Sequence, residues 1–338
     1  MMRREGNLFS AVVSFENLYK AALKACRGKK MKKPVASFFF HLENEIILLQ
    51  EELISGSYRP QPYRQFEIRE PKVREICSST FRDRVVHHAI CNLMEPIFEK
   101  RLIFDTYACR DGKGAHAAIK RLQFFTRKQT YFLKCNIRKY FQSVNHEILK
   151  QLLRRVIKDD RLLSLMELII DHAVPGSEPG KGIPIGNLTS QHFANFYLGE
   201  LDHFVKERYG LQAYVRYMDD FICLAQEKQI LNNLLGEIRI FIHDRLRLRL
   251  KEKVTRMAPV SEGVPFLGFR TFPQMIRLQR PNLIRLRKKM RQREAQFKRG
   301  LIDQEDLICS VRSMIAHVTH ANSTRLRRRE FEQSLSLA

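Results

Sequence analysis

The sequence has few acidic residues, no tryptophan and no long apolar run. Only 36 Asp and Glu residues stand against 60 Lys and Arg residues, so the formal net charge is +24. No segment approaches the about 18–20 consecutive apolar residues that a membrane helix needs. The basic start, MMRREGNLFSAVV, has too short an apolar stretch for a signal peptide. These absences predict a cytoplasmic protein without a membrane span.

The cysteines also lack a pairing pattern. Seven of them occur, at positions 26, 77, 91, 109, 135, 223 and 309. The number is odd and no two follow the C-x-x-C spacing, which argues against a disulfide framework and against a zinc site. Free thiols are typical of a reducing cytosol.

What the sequence does contain indicates a folded protein with a polyanionic partner. Hydrophobic residues make up 44% of the 338 residues, which is enough to bury a core and excludes a disordered basic tail. The length predicts about two to three structural units. On a folded chain, a large positive charge favours nucleic acid as the partner over an anionic membrane surface.

Hydrophobic periodicity predicts an α+β chain up to about residue 275, followed by a basic helical tail. Helical spacing covers the segments 7–57, split by a basic loop at 27–34 that ends at Pro34, and then 81–98, 115–128, 138–156, 160–173, 190–208, 227–245, from 282 onward, and 303–318. Alternation predicts strands in a hairpin over 63–76 with Pro71 near its turn, at 131–136, twice within 213–225, near 246–254 and near 264–271. The Gly- and Pro-rich segment 175–187 is predicted to be a loop.

The tetrad Tyr217-Met218-Asp219-Asp220 is the most informative segment. Adjacent carboxylates repel and raise each other's pKa, whereas a divalent metal removes that conflict. Mg²⁺ takes carboxylate oxygens and keeps positions open for substrate phosphate. The alternative is a solvated turn, since Asp favours turns. Apolar, strand-like flanks indicate that this turn projects from a buried hairpin, which favours the metal.

The tetrad is one of several motifs that occur in a family order. The others are LKCNIRKYFQSVNH (133–146), GIPIGNLTSQHFANFYL (182–198), LRLKEK (248–253), GVPFLGF (263–269), PKVREI (71–76) with DRVVHHAI (83–90), and TYACRDGKGAHAA (106–118). Together they resemble the palm and fingers motifs of reverse transcriptases, over about residues 7–320. The TYACR-x-GKG-x-H and IGNLTSQ stretches are most similar to reverse transcriptases of diversity-generating retroelements.

This resemblance implies a right-hand polymerase with fingers, a palm built on an antiparallel sheet flanked by helices, and a small helical thumb. The implied division is an N-terminal helical extension at 1–60, fingers at 61–130, palm at 131–275 and a basic helical thumb at 276–338. Helices derived from the fingers would interrupt the palm at about 150–180.

The resemblance also implies roles for single residues. Two Mg²⁺ ions, or Mn²⁺ in their place, would be held by Asp219, Asp220, position 136 and Ile137. Lys253 would be the general acid for pyrophosphate, with Lys251 as the alternative register. The residues implied to contact the nucleotide are Lys72, Arg74, Arg110, Phe141, Ile185 and Gln191. The primer grip would be Phe266, Leu267 and Gly268, and the residues on the nucleic-acid backbone would be Lys288, Lys289, Arg291 and Arg293.

Two of these positions bear on substrate selection. Phe141 matches the aromatic gate against the ribose 2′-OH, the group that distinguishes RNA from DNA; otherwise it would be a core Phe at a helix start. Ile185 stands where many reverse transcriptases carry Gln, and Ile lacks the amide hydrogen bonds of Gln. A hydrophobic residue there resembles the diversity-generating enzymes, which implies low fidelity opposite template adenines.

Asn136 departs from the family pattern, which has a metal-binding aspartate at this position. An amide oxygen carries no charge, so it binds Mg²⁺ more weakly than a carboxylate does. Asn136 is either a deliberate Asp→Asn substitution that traps an inactive polymerase or a natural variant with reduced polymerisation. The other motifs are intact, which favours the first. In both cases the chain as written is expected to fold and bind nucleic acid but to synthesise DNA poorly.

The resemblance implies a set of partners and leaves alternatives open. The partners would be a structured template RNA with its cDNA, dNTPs, and a small basic oligomeric accessory protein. One alternative function is a polymerase of the group II intron or retron type. The other is a catalytically dead or degenerate scaffold that binds RNA, which Asn136 would permit.

Overall fold

The computed structural model describes residues 4–69 and 73–332 and has helices and strands throughout. The α-helices are α1 Phe9–Val12, α2 Phe15–Ala25, α3 Lys33–Phe40, α4 Leu42–Ser55, α5 Phe81–Glu99, α6 Ala115–Thr126, α7 Tyr140–Ser143, α8 His146–Arg154, α9 Asp160–Asp171, α10 Leu188–Tyr197, α11 Gly199–His203, α12 Lys228–Leu246, α13 Arg280–Lys298, α14 Gln304–Val318 and α15 Thr324–Arg327. The strands are β1 Arg64–Ile68, β2 Arg74–Ser78, β3 Tyr131–Asn136, β4 Tyr214–Tyr217, β5 Asp220–Ala225, β6 Arg256–Pro259, β7 Val264–Phe266, β8 Phe269–Thr271 and β9 Ile276–Leu278.

The chain divides into two compact units, each made of several segments. The first unit consists of Met1–Phe104, Ile137–Arg208 and Glu237–Lys251, and the second consists of Asp105–Asn136, Tyr209–Gly236 and Glu252–Ala338. Within the described residues, no helix combines the length and the apolar character needed to cross a bilayer.

The first unit is mainly helical and centres on α5. Helices α2, α3 and α10 pack against α5, and α8 packs against α9. The start of α5 is capped by Thr80, whose hydroxyl accepts a hydrogen bond from the Asp83 backbone N–H. Asp83 is buried and also accepts a 2.8 Å hydrogen bond from the Tyr58 hydroxyl, which fixes the chain before β1 against this helix. The antiparallel hairpin β1–β2 belongs to the same unit.

The second unit is built on an antiparallel sheet in the order β4-β5-β3-β6. Helix α6 packs against β4, β5 and β8. The shared core holds large apolar side chains from the sheet, from α6 and from a second antiparallel sheet, β7-β8-β9: Ile119, Leu122, Phe132, Val215, Ile222, Leu224, Phe266 and Phe269. This core determines where the ends of β3, β4 and β5 lie.

The basic tail forms a helical hairpin within the second unit. Helix α13 packs against α14, with Met290, Met314 and Val318 buried between them. Arg287 of α13 also pairs with Glu330 near the end of the chain, at 2.8 Å. The predicted basic helical tail is therefore confirmed as helical.

The strand predicted near 246–254 does not form. Helix α12 runs to Leu246, Arg247 then takes a left-handed φ of 50°, and the only pairing there is one isolated bridge between Leu250 and Ile137. Leu246, Leu248 and Leu250 are all buried, so the alternation is real but comes from packing rather than from a ladder. The next strand is β6.

Two predicted helices are each divided. The segment 138–156 contains α7 and α8, because the Asn145 side chain accepts a hydrogen bond from the Ile148 backbone and begins a new helix. The segment 190–208 contains α10, α11 and a π-helical turn at Phe204–Arg208. The turn near Pro71 lies outside the described residues.

Candidate active site

The β4–β5 hairpin presents the two adjacent aspartates at a tight turn. Tyr217 pairs with Asp220 at the end of the ladder, and Met218 takes a left-handed φ of 55°. Five successive residues of β5, from Phe221 to Ala225, are buried, which anchors the hairpin. The turn is therefore held on a rigid base while Asp219 and Asp220 remain partly exposed, as the sequence predicted.

Asn136 lies directly opposite this turn. It is the last residue of β3 and pairs in register with Asp220 of β5. Its side-chain Nδ2 donates a 3.1 Å hydrogen bond to Oδ2 of Asp219. The three polar residues at the ends of β3 and β5 thus form one cluster, although 83 residues separate Asn136 from Asp219 in the sequence.

The cluster carries part of the donor set that Mg²⁺ prefers. Asp219 and Asp220 supply carboxylate oxygens, which suit a hard cation. Asn136 directs its amide nitrogen at Asp219, so its oxygen becomes a ligand only after the amide turns over. Within residues 4–69 and 73–332, no three His, Cys, Asp or Glu side chains are arranged to hold a metal ion. Asn136 supplies no carboxylate to this cluster, and the two aspartates still fit a divalent ion.

Ile137, a predicted backbone ligand, directly follows Asn136 in the chain. Its side chain is buried and its backbone bridges to Leu250.

Lys134 is a site residue that sequence reasoning missed. Its Nζ lies 3.5 Å from Oδ2 of Asp220 and donates a 2.9 Å hydrogen bond to the carbonyl of Pro265. The signal was its place two residues before Asn136, since residues two apart in a strand share a face.

Arg216 is a second residue that was missed, although it directly precedes Tyr217. Its side chain is fully buried, and its Nη1 donates a 3.0 Å hydrogen bond to the carbonyl of Met218. The backbone of Arg216 also pairs in parallel with Asp105 and Tyr107, through two 3.0 Å hydrogen bonds. Because Met218 has a left-handed backbone, this internal bond supports the turn that carries the aspartates.

The segment after Tyr107 leads to the predicted phosphate-binding loop. Arg110 donates a 2.7 Å hydrogen bond to the carbonyl of Thr106, and the Gly114 N–H bonds the Tyr107 carbonyl at 3.0 Å. Gly114 has a φ of 109° and immediately precedes α6. Arg110 therefore belongs to the loop that opens this helix, in the same unit as the aspartates.

The predicted primer grip forms the turn of the β7–β8 hairpin. Phe266 is fully buried and pairs with Phe269, while Leu267 and Gly268 take left-handed φ values of 46° and 86°. The Gly268 carbonyl accepts hydrogen bonds from Asn282 Nδ2 at 2.9 Å and from the Gln279 N–H at 3.0 Å. The start of α13 thus fixes this turn.

The two candidate lysines differ in position. Lys253 lies exposed in a 3₁₀ turn at Glu252–Val254 that contacts β3 in the second unit, and Lys251 belongs to the first unit. The role of Lys253 as the general acid stays a prediction.

Backbone hydrogen bonds in the first unit involve two of the residues expected at the nucleotide, Phe141 and Ile185. The Ile183 N–H bonds the carbonyl of Phe141 at 2.8 Å, and the Cys77 N–H bonds the carbonyl of Ile185 at 3.0 Å. The loop carrying Ile185 therefore joins α7 to strand β2, whose first residue is the exposed Arg74. The Phe141 side chain is partly exposed, which argues against a core role.

The remaining predicted residues are distributed as follows. Gln191 lies on α10, partly exposed, and Lys72 lies outside the described residues. The four cations expected on the nucleic-acid backbone all belong to α13, where Lys288, Lys289 and Arg291 are exposed and Arg293 is partly exposed.

Burial affects one ionisable group beside the turn. Desolvation raises the pKa of the Tyr217 hydroxyl, and the nearby Cys109 thiol adds to that shift. Tyr217 is therefore neutral at physiological pH and adds no negative charge to the carboxylate cluster.

Comparison with known proteins is consistent with this geometry. A family model described as reverse transcriptase (RNA-dependent DNA polymerase) matches residues 68–271. Protein YkfC of Escherichia coli (strain K12) is 29% identical over 269 residues, covering 67% of this chain and 71% of that protein. The group II intron-encoded protein LtrA of Lactococcus lactis subsp. cremoris is 23% identical over 350 residues, covering 83% of this chain and 57% of that protein.

A solved structure of telomerase from Candida albicans, in complex with a fragment of telomeric RNA, matches with a TM-score of 0.51 at 9% identity. That match covers 70% of this chain and 51% of the telomerase chain, so the chain spans only about half the length of this structure and of LtrA. With the antiparallel sheets, it confirms the predicted α+β, right-hand polymerase fold. The finer division into extension, fingers, palm and thumb stays a prediction.

Proposed function

This chain belongs to the reverse transcriptase (RNA-dependent DNA polymerase) family, and from that membership we propose that its lineage copies an RNA template into cDNA at the cluster of Asp219, Asp220 and position 136. The observation that carries the proposal is the register of Asn136 with Asp220, together with the 3.1 Å contact between Asn136 and Asp219. It brings the polar ends of β3 and β5 to one point.

Asp219, Asp220 and the side chain at position 136 would hold the divalent ions, two Mg²⁺ or Mn²⁺, with the Ile137 carbonyl beside them. When bound, such ions would stabilise the attacking 3′-oxygen and the leaving pyrophosphate in an in-line displacement. The chain's contribution is a preorganised carboxylate pair on a buried hairpin, so little reorganisation is required when the substrate binds.

The remaining residues would select and orient the substrates. Phe141 excludes the ribose 2′-OH, Arg74 and Arg110 bind phosphate oxygens, and Lys253 gives a proton to pyrophosphate. The exposed cations of α13 bind the backbone of the RNA–DNA hybrid, so affinity falls steeply with salt. Lys72 and Gln191 complete the nucleotide contacts, and Phe266–Gly268 hold the primer end.

The chain as written is proposed to be severely impaired, because Asn136 supplies no charge to the ions. In addition, its amide already satisfies an oxygen of Asp219. This same observation favours the second candidate, an RNA-binding scaffold without polymerase activity. The intact Arg74, Phe141 and aspartate pair favour a polymerase lineage over a scaffold.

We further propose the diversity-generating subtype, which makes adenine-mutagenic cDNA of a template repeat. Ile185 supports this, since its apolar side chain lies in the loop that joins Phe141 to β2 and offers no amide to a base pair. The partners would be a structured retroelement RNA and a small basic oligomeric accessory protein. A group II intron-type polymerase is the alternative, given the similarity to LtrA.

Primer extension on an RNA template tests the proposal. The chain, its Asn136→Asp variant, and Asn136→Asp combined with Asp219→Asn are compared in Mg²⁺ and in Mn²⁺. We expect robust RNA-templated DNA synthesis only from Asn136→Asp. Equal, robust synthesis by the chain and by Asn136→Asp would contradict the claimed impairment, and no synthesis by Asn136→Asp would favour the scaffold.

A further inference from the structure

Lys134 joins two parts of the proposed site that the sequence motifs treat separately. Its Nζ is 2.9 Å from the carbonyl oxygen of Pro265, just before the primer-grip turn, and 3.5 Å from Oδ2 of Asp220. We propose that Lys134 is a positioning residue that couples the metal-binding turn to the primer-grip hairpin. Its ammonium limits the affinity of the turn for metal ions and fixes the position of the hairpin. The proposal rests on the polymerase function proposed above.

Strand geometry directs Lys134 toward the carboxylates. Lys134 and Asn136 are two residues apart on β3 and share its partly exposed face, while their neighbour Cys135 is buried. Across the ladder, Asn136 pairs with Asp220. On its other side Lys134 faces Arg256 of β6, whose guanidinium pairs with Glu262. Arg256 is thus engaged by Glu262, while the Lys134 ammonium contacts Asp220.

Shielding makes the contact with Asp220 stronger than a surface ion pair. Both side chains are only 19% exposed, and charges that are partly withdrawn from water interact more strongly than exposed ones. The contact also offsets the repulsion between Asp219 and Asp220 when no divalent ion is bound. Lys134 is thus a competitor of the cation that this pair is proposed to bind.

The contact with Pro265 fixes an edge strand. Strand β7 pairs only with β8 within its three-stranded sheet, and Pro265 has no N–H to donate to a ladder. The Lys134 ammonium supplies a charge-assisted hydrogen bond to that strand, which is stronger than a neutral one. The residue after Pro265 is Phe266, the first of the predicted primer grip.

These two contacts predict opposite effects when the ammonium is removed. Without Lys134, its ammonium no longer competes at Asp220, so a divalent ion should bind more tightly. Without its bond to Pro265, the primer-grip turn is held less firmly, so the primer end should bind more weakly. If Lys134 were purely structural, its removal would weaken both divalent-ion binding and primer binding, or neither of them.

The metal contact is tested by titrating Mn²⁺ into the full chain and measuring free Mn²⁺ by electron paramagnetic resonance. We expect Lys134→Met to tighten Mn²⁺ binding about fivefold, and Lys134→Arg to restore the original affinity. The matched control is Lys120→Met, which removes the same charge from an exposed position on α6 and should leave the affinity unchanged. Asp220→Asn in the same assay should weaken binding.

The primer contact is tested in the Asn136→Asp background by steady-state extension. We expect Lys134→Met to raise the KM for primer–template about fivefold, with the KM for dNTP unchanged, and Lys134→Arg to reverse the rise. Unchanged or weaker Mn²⁺ binding in Lys134→Met would overturn the proposal, as would an unchanged KM for primer–template. If Asn136→Asp extends no primer, the polymerase function fails, and the Mn²⁺ titration of the unmodified chain still decides the Lys134–Asp220 contact.

Discussion

Replacing Asn136 by aspartate should destabilise the metal-free protein even though it restores the family pattern. The amide Nδ2 of Asn136 is the donor in a 3.1 Å hydrogen bond to the Asp219 carboxylate. Aspartate removes that donor and sets a third carboxylate against the other two. The substitution therefore costs both a charge-assisted hydrogen bond and new like-charge repulsion.

The expected cost follows from these two terms. A hydrogen bond to a charged group contributes about 1.5–3 kcal/mol. Repulsion between the partly exposed carboxylates adds to it but is limited, because one of them takes up a proton when its pKa rises far enough. A total of about 2–4 kcal/mol would lower the Tm by roughly 3–6 °C in a protein of this size.

Divalent ions should recover part of the loss. An ion that binds only the folded protein, at ten times its Kd, adds about 1.4 kcal/mol of stability. The assay is thermal unfolding of the chain and of Asn136→Asp, each in EDTA and in excess Mg²⁺. The control is Asn233→Asp, which places the same new charge on an exposed site of α12. If Asn136→Asp melts with the parent in EDTA and Mg²⁺ raises both equally, the reasoning about this cluster is refuted.

Three other outcomes are expected. Gly268→Ala would drive a Cβ into the Asn282 side chain at a φ of 86°. The KM for primer–template should therefore rise in the Asn136→Asp background, and the free energy of unfolding should fall by about 1–3 kcal/mol. An unchanged KM would argue against a primer-grip role. Burial lowers the pKa of His87 to about 3, so below pH 6.5 only the unfolded chain takes up this proton, and stability falls by about 1.4 kcal/mol per pH unit as the pH decreases. Urea unfolding between pH 7 and 5.5 should show a smaller decrease in the free energy of unfolding for His87→Gln than for the parent. Identical slopes would exclude a contribution from His87. Ile185→Gln in the Asn136→Asp background should lower misincorporation opposite template adenine, measured by sequencing cDNA, and unchanged error rates would remove Ile185 from the explanation of fidelity.

Local patterns predicted the parts of the site that depend on local structure. The apolar runs around Asp219 and Asp220 indicated a buried hairpin, and the hairpin formed because β5 is buried almost throughout. Asn136 was identified through motif order, and its pairing with Asp220 follows from the antiparallel register of β3 and β5.

The errors arose where tertiary packing decides. Leu246, Leu248 and Leu250 alternate as in a strand and are all buried, yet Leu246 ends helix α12 and the segment from the left-handed Arg247 onward forms no ladder. Alternation reports which side chains are buried and does not by itself require a hydrogen-bonded partner strand.

The two missed residues make contacts that no local pattern encodes. Lys134 reaches a carbonyl 131 residues away in the chain. Arg216 reads as a strand residue, yet its buried guanidinium supports the turn at Met218. Only the assembled sheet reveals these contacts.

The central claim is that Asp219 and Asp220 at the β4–β5 turn hold the ions for nucleotide addition and that the residue at position 136, at the end of β3, limits the reaction. Its most direct test is the single-turnover rate of adding one dNTP to a primer on an RNA template, in saturating Mg²⁺. The account predicts that Asn136→Asp is faster than the chain as written by about a hundredfold or more. Equal rates for the two proteins would contradict it.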